Sequence, residues 1–253
     1  MIFNGKVIII TGAGAGIGRA AAEAFSNKKA RVVVADLDPI GGEDTVSLIK
    51  NNGGEASYVK VDVSDSESVR ILVEKTKKLY GGIDILVNNA GLHYQGDVAQ
   101  TSVEAWDKVI AVNLKGVYLC CHHVVPAMIE RGGGVIVNIA SEAGMVGIKG
   151  QAAYNVSKAG VISLTQSMAV DFAEKNIRVN AVSPGTTETP LVLKILEEAE
   201  NPDEIRAGLE GCRPLNRLGR PEEIAAAVLA MASDELGYTT GSVLSIDGGY
   251  TAQ

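Results

Sequence analysis

The first apolar run, Val7-Ile8-Ile9-Ile10, is continuous and β-branched, the pattern of a strand buried on both faces. A glycine cluster follows it, then a helical stretch from about Ile17 to Lys28. Arg31 to Ala35 reads as the next strand, and Gly41 to Asn52 as a helix stopped by Gly53-Gly54. Ala56 to Val61 is a third strand. Ser64 and Glu67 have capping-box spacing and open a helix that runs to about Tyr80. Ile83 to Val87 is a fourth strand, and Thr101 with Glu104 marks another helix start. Gly134 to Ile139, Arg178 to Val182 and Ser242 to Ile246 complete about seven strands. Strands separated by helices of this length pair in parallel through right-handed crossovers. The predicted fold is α/β: a Rossmann-like, doubly wound parallel sheet with helices on both faces. No linker, low-complexity tract or internal repeat divides the chain, so residues 1–253 are expected to form a single domain.

Two helical stretches carry apolar residues around more than one face, where a surface helix keeps a polar side. Asn113 to Arg131 contains Leu114, Val117, Tyr118, Leu119, Val124, Val125, Met128 and Ile129. Tyr154 to Ala173 contains Val161, Ile162, Leu164, Met168, Val170 and Phe172. Either both are deeply buried in one subunit or their second faces form a subunit interface; the second is the expectation.

Composition narrows the function classes. Aromatic residues are 4% of the chain, the net charge is -7, and neither favours a nucleic-acid surface. No segment approaches the 18 or so consecutive apolar residues of a membrane span. The short run at Met1 to Ile10 lacks the features of a signal peptide. Three cysteines, two of them the neighbours Cys120 and Cys121, fit reduced thiols and a cytoplasmic location.

The glycine cluster Thr11 to Gly18 sits between the first strand and first helix, where backbone N–H groups approach a pyrophosphate. Its glycines at 12, 16 and 18 give the spacing TGxxxGxG rather than GxGxxG. Asp36 ends the second strand, where a carboxylate accepts hydrogen bonds from an adenosine ribose and repels a 2′-phosphate. Neither Ala13 nor Ala15 supplies a positive charge for that phosphate, and Leu37 follows Asp36. NAD is therefore expected over NADP. Tyr154 and Lys158, four residues apart, share one helix face, and a nearby ammonium lowers a phenol pKa from about 10.

The glycine turn, Asn88-Asn89-Ala90-Gly91 and the Tyr154/Lys158 pair together resemble the short-chain dehydrogenase/reductase family, over essentially the whole chain. The resemblance implies that Tyr154 is the acid/base, Lys158 binds the nicotinamide ribose, Ser141 bonds the substrate oxygen and Asn113 holds a relay water. It also implies cofactor contacts at Gly12, Ala15, Gly16, Ile17, Gly18, Asp36 and Leu37. Asp62 and Val63 would meet the adenine, and Asn89, Ala90 and Gly91 would line the cleft. Pro184, Gly185, Thr187 and Thr189 would hold the nicotinamide carboxamide, Thr187 by its backbone and Thr189 by its hydroxyl. A substrate lid is expected at about 190–215, and a homotetramer as the assembly.

Cys120-Cys121-His122-His123 suggests a metal box, but adjacent helical residues point apart, so no metal site is expected. Substrate contacts are expected from Ser141, Tyr154, His93, Tyr94, Gln151 and Thr186, with Glu142, if it points inward, disfavouring an anion. These imply an NAD-dependent oxidoreductase interconverting a neutral secondary alcohol, cyclic or a polyol, with its ketone. The alternatives are a 3-oxoacyl-thioester reductase, a non-catalytic NAD(H)-sensing protein, and an isomerase or lyase with retained NAD.

Overall fold

The computed structural model describes residues 3–253. Met1 and Ile2, at the start of the segment weighed above as a signal peptide, lie outside the described residues. Seven strands form one parallel sheet in the order β3-β2-β1-β4-β5-β6-β7. They are β1 (Val7–Thr11), β2 (Arg31–Asp36), β3 (Glu55–Lys60), β4 (Ile85–Asn88), β5 (Gly134–Ile139), β6 (Ile177–Pro184) and β7 (Val243–Ile246). The chain winds outward from β1 to β3, then returns to β4 on the opposite side. That reversal opens a crevice beyond the carboxyl ends of β1 and β4, the usual ligand position in such sheets.

Alternation along β1 shows why its apolar run is continuous. Ile8 and Ile10 join one core with α1 (Gly16–Asn27), α2 (Pro39–Asn51) and α9 (Pro221–Ala232). Ile9 enters the other core with α3 (Ser66–Tyr80), α5 (Gly116–Glu130) and α6 (Ala152–Phe172). All three isoleucines are fully buried, each worth roughly 1.5–3 kcal/mol relative to exposure.

Two helix caps fall one residue beyond their predicted places. Asp65, not Ser64, caps α3 by accepting from the Glu67 N–H, while Ser64 bonds back to Asp62. Ser102, not Thr101, caps α4 (Val103–Ile110), because the Thr101 hydroxyl donates to the Asp97 carbonyl. Asp38 caps α2 and starts it earlier than expected, at Pro39.

The stretch expected from Asn113 to Arg131 belongs to a longer helix. α4 and α5 run together through a π turn at Ala111–Lys115. This 28-residue helix has the length and composition of a membrane span, which the sequence reading did not anticipate. It is a core helix by position: Val117, Leu119, Cys120, Cys121, Val124 and Met128 are buried in the domain. Tyr118, Ile129, Val156 and Val170 nevertheless remain exposed on α5 and α6.

Candidate active site

The glycine turn is shaped by contacts that exclude side chains. Gly12 and Gly16 have φ of +65° and +53°, and a Cβ on Gly18 would stand 2.1 Å from the Gly12 carbonyl oxygen. Thr11 and Asn89 lock the turn to β4. The Thr11 hydroxyl accepts from the N–H groups of Asn89 and Ala90, and Asn89 Nδ2 donates to the Thr11 and Gly12 carbonyls at 2.9 Å.

Asp36 Oδ2 accepts the Gly14 N–H at 2.7 Å, and Oδ1 accepts the Asp38 N–H at 2.9 Å. A carboxylate offers about four acceptor positions, so capacity remains for hydroxyl donors. Arg19 is the cation nearest this corner in sequence, and the protein already engages it. Its side chain donates to the Gly14 and Gly41 carbonyls and the Thr45 hydroxyl. A side-chain-free cradle at a helix start, beside a partly exposed carboxylate, fits a dinucleotide.

Beyond the carboxyl end of β5, Ser141 caps a short 3₁₀ turn, its Oγ accepting from the Ala143 N–H at 3.2 Å. Gly144 lets that turn press onto α6, because a Cβ there would lie 2.7 Å from the Lys158 carbonyl carbon. The contact brings Ser141 within hydrogen-bonding reach of the Tyr154 hydroxyl. Lys158, one helical turn along, is buried; its Nζ donates to the Ile139 carbonyl at 2.8 Å and stands 5.7 Å from the Tyr154 ring centre.

Asn113 sits in the π turn, a distortion frequent at functional sites. Its Oδ1 accepts from the Leu92 N–H, and its Nδ2 donates to the Leu92 carbonyl and Ser157 Oγ. A Cβ on Gly91 would lie 3.3 Å from Asn113 Oδ1 and 3.7 Å from Lys158 Nζ, so both polar groups border one small volume.

Burial governs the ionisation of this cluster. It pulls Lys158 down to about 8 and raises Tyr154, against a smaller lowering by the Ser141 hydrogen bond. The predicted lowering of the phenol by Lys158 is not found: the ammonium is directed to Ile139 rather than to the hydroxyl, and Glu142 adds to the rise.

The family model described as Enoyl-(Acyl carrier protein) reductase matches residues 12–251. The chain is a short-chain dehydrogenase/reductase. It is 42% identical to a 3-oxoacyl-(acyl-carrier-protein) reductase, FabG, of Thermotoga maritima, over 98% of this chain and 99% of that protein. It is 39% identical to the cis-4-hydroxycyclohexanecarboxylate dehydrogenase of Sinomonas cyclohexanicum, over 99% and 98%. The crystal structure of a levodione reductase superposes with a TM-score of 0.96 at 35% identity, covering 99% of each chain. Membership makes the chain an oxidoreductase acting on CH–OH groups with a nicotinamide cofactor.

Several of the residues expected to meet substrate lie around the Tyr154 cluster of this short-chain dehydrogenase/reductase. His93 packs edge-to-face on Tyr154 with ring centres 5.2 Å apart, and its side chain lies within reach of Gln151. Burial lowers its pKa below 6.5 and favours the neutral imidazole at pH 7. A parallel bridge between Gly96 and Gln151 fixes the His93–Tyr94 loop over the start of α6.

Other positions differ from expectation. The Thr186 hydroxyl accepts from Arg213 and keeps its O–H to donate, whereas Glu142 is buried in an ion pair with Arg213. The Thr189 hydroxyl caps α7 (Pro190–Glu197) by accepting from Val192, because the helix start needs an acceptor there. Thr187 Oγ1 donates to the Gly185 carbonyl, which turns its side chain back on its own loop. The Asp62 carboxylate is taken up by Ser64, and Val63 is buried against Gly116. Leu37 and Ala15 are exposed at the crevice edge. Cys120 and Cys121 point into the core, whereas His122 stacks on Tyr118 and His123 bonds Ser66.

The sequence reading missed Thr11, Arg19 and Arg213. The first has a visible signal, its place at the head of the glycine turn; a free-standing arginine before Pro214 has none.

Proposed function

We propose that the chain is an NAD-dependent dehydrogenase and ketone reductase for a neutral secondary alcohol, cyclic or a polyol. The observation that carries the reading is the placement of Ser141 within reach of the Tyr154 hydroxyl, with Lys158 one turn along the same helix. Ser141 holds the substrate oxygen, and Tyr154 takes the alcohol proton from that oxygen during oxidation and returns it during reduction. Lys158 has donor capacity beyond Ile139 for the nicotinamide ribose, and Asn113 holds a water that links it to a proton relay. The glycine turn receives the pyrophosphate, Asp36 the adenosine ribose, Leu37, Asp62 and Val63 the adenine, and the Thr187 backbone the carboxamide. When bound, the nicotinamide supplies the hydride acceptor or donor.

Asp36 and the engagement of Arg19 by carbonyls support NAD over NADP. Pairing of Arg213 with Glu142, and of Arg206 with Glu188 and Glu210, leaves those cations little call for an anionic substrate. The Sinomonas relative, named for a ring alcohol that also carries a carboxylate, supports the ring but not the neutral charge. Helices α7 and α8 (Pro202–Gly211) form the substrate lid, supported by a parallel bridge of Thr187 with Gly219 that pinches off residues 188–218. Exposed Tyr118, Ile129, Val156 and Val170 support self-association as a homotetramer, and the three free thiols support a cytoplasmic setting.

The test is NADH formation at 340 nm with NAD or NADP across secondary alcohols, polyols, hydroxysteroids and 3-hydroxyacyl thioesters. Turnover of a neutral ring alcohol with NAD supports the proposal. Preference for the acyl thioester would establish the second reading, which the Thermotoga relative favours. NADH binding without any turnover would establish a sensing role.

A further inference from the structure

Arg213, two residues beyond α8, is 4% exposed and serves none of the proposed chemical steps. Its Nη2 donates to Glu142 Oε1 and to Thr186 Oγ1, each at 2.6 Å. Its Nη1 donates to the Leu209 carbonyl of α8, and the guanidinium stands 5.3 Å from the centre of the Tyr250 ring. Glu142 directly follows Ser141, and its carbonyl accepts from Met145 and Val146 within the same turn. One side chain therefore joins the end of the lid, the loop after β6, the turn that carries Ser141 and the C-terminal segment.

The arrangement is poorly suited to stabilising the fold. Among the described residues Glu142 Oε2 and Arg213 Nε have no hydrogen-bond partner of good geometry, so part of the desolvation of both ions goes uncompensated. A second carboxylate, Asp247, also faces Glu142, although its own oxygens accept from Gly249 and Thr251. What the pair does fix is register. Thr187 and Gly219 pin the base of the lid, and Arg213 adds a second attachment inside it that leads straight to Ser141.

We infer that Arg213 is a positioning residue that sets the α7–α8 lid against the Ser141 turn through Glu142 and Thr186, and so determines how tightly the alcohol is held. The inference rests on the proposed lid and on the proposed substrate role of Ser141. Loss of the link should loosen α7 and α8 and raise the alcohol KM, while leaving the glycine turn and its ligand untouched.

The experiment compares Arg213→Met, Arg213→Lys and the double variant Glu142→Met/Arg213→Met with wild type. The double variant guards against misfolding, because replacing both ions by apolar residues avoids stranding one buried charge. Amide hydrogen exchange of residues 190–211 is read with no substrate present, and NADH affinity by fluorescence. The expected result is exchange about tenfold faster in α7 and α8 for the double variant, with NADH affinity within about twofold of wild type. Arg213→Lys, which keeps a donor and a charge, should restore part of the protection. With the ring alcohol, the KM should rise about tenfold with a smaller change in kcat. Wild-type exchange in the double variant would overturn the link. Failure of every alcohol to turn over would overturn the proposed function instead, and the exchange measurement would still decide the role of Arg213.

Discussion

Gly14 and Asp36 form one unit: the glycine N–H donates to Asp36 Oδ2 at 2.7 Å, across 22 residues of sequence. The other carboxylate oxygen is held by Asp38 N–H. The acid proposed to select the cofactor is therefore oriented by the same turn that is proposed to receive the pyrophosphate.

Asp36→Ala should lower the ratio of kcat/KM for NAD over NADP by about tenfold or more, since the repulsion of a 2′-phosphate is removed. The lost Gly14 bond should also cost about 1 kcal/mol of stability. Both are read from steady-state kinetics and urea denaturation. An unchanged cofactor ratio would mean that the ribose is recognised elsewhere.

Gly18→Ala tests the cradle. Alanine is the better helix former by about 1 kcal/mol, yet its Cβ would fall 2.1 Å from the Gly12 carbonyl oxygen. The neighbour is backbone and cannot swing aside, so the variant should lose roughly 1–3 kcal/mol and most NADH binding. Circular dichroism and NADH fluorescence measure the two effects, and wild-type NADH affinity would count against this site.

Tyr154→Phe keeps the ring that packs on His93 and removes only the hydroxyl that lies within reach of Ser141. Turnover should fall by about 10²–10⁴, the span of a general acid/base, while NADH affinity stays within severalfold. Stopped-flow hydride transfer at a wild-type rate would remove Tyr154 from the chemistry.

Glu142 predicts a pH dependence. Its carboxyl is raised from 4.5 to about 7, by burial first and by Asp247 in addition, with Arg213 opposing. Between those values the folded protein holds a proton that the unfolded chain has released. Stability from this group is therefore full below about 4.5 and is lost as pH rises through about 7. The urea midpoint should decline across that window in wild type, and Glu142→Gln should flatten the decline. Parallel profiles for the two proteins would contradict it.

Much of this architecture is written locally. Val7 to Ile10 announces a strand because both faces of β1 are covered, and the glycine spacing announces the turn because backbone must approach backbone. Neighbouring residues of similar chemistry blur the edges: Ser64 and Asp65, or Thr101 and Ser102, are both able to cap, and only the competing bonds to Asp62 and Asp97 decide. The π turn leaves no trace in hydrophobicity, since it changes which carbonyl each N–H meets rather than which residues are apolar. The Glu142–Arg213 pair is invisible for another reason. Its partners lie 71 residues apart, and neither stands in a periodic pattern that marks it as buried. Sequence shows the hydroxyls at 186 and 189 without showing that each already accepts a hydrogen bond, from Arg213 and from the Val192 N–H, which leaves only its O–H to donate elsewhere.

The bridge between Thr187 and Gly219 gives the molecule a natural unit of exchange. Because the chain leaves and re-enters the body at adjacent points, residues 188–218 can change length or sequence without shifting the register of β6 or β7. Even a doubling of such an excursion costs only about 0.6 kcal/mol in closure entropy. Transplanting this segment from a relative of different substrate preference, together with its own partner for position 142, would move specificity as a cassette while the nucleotide-binding half stays unaltered.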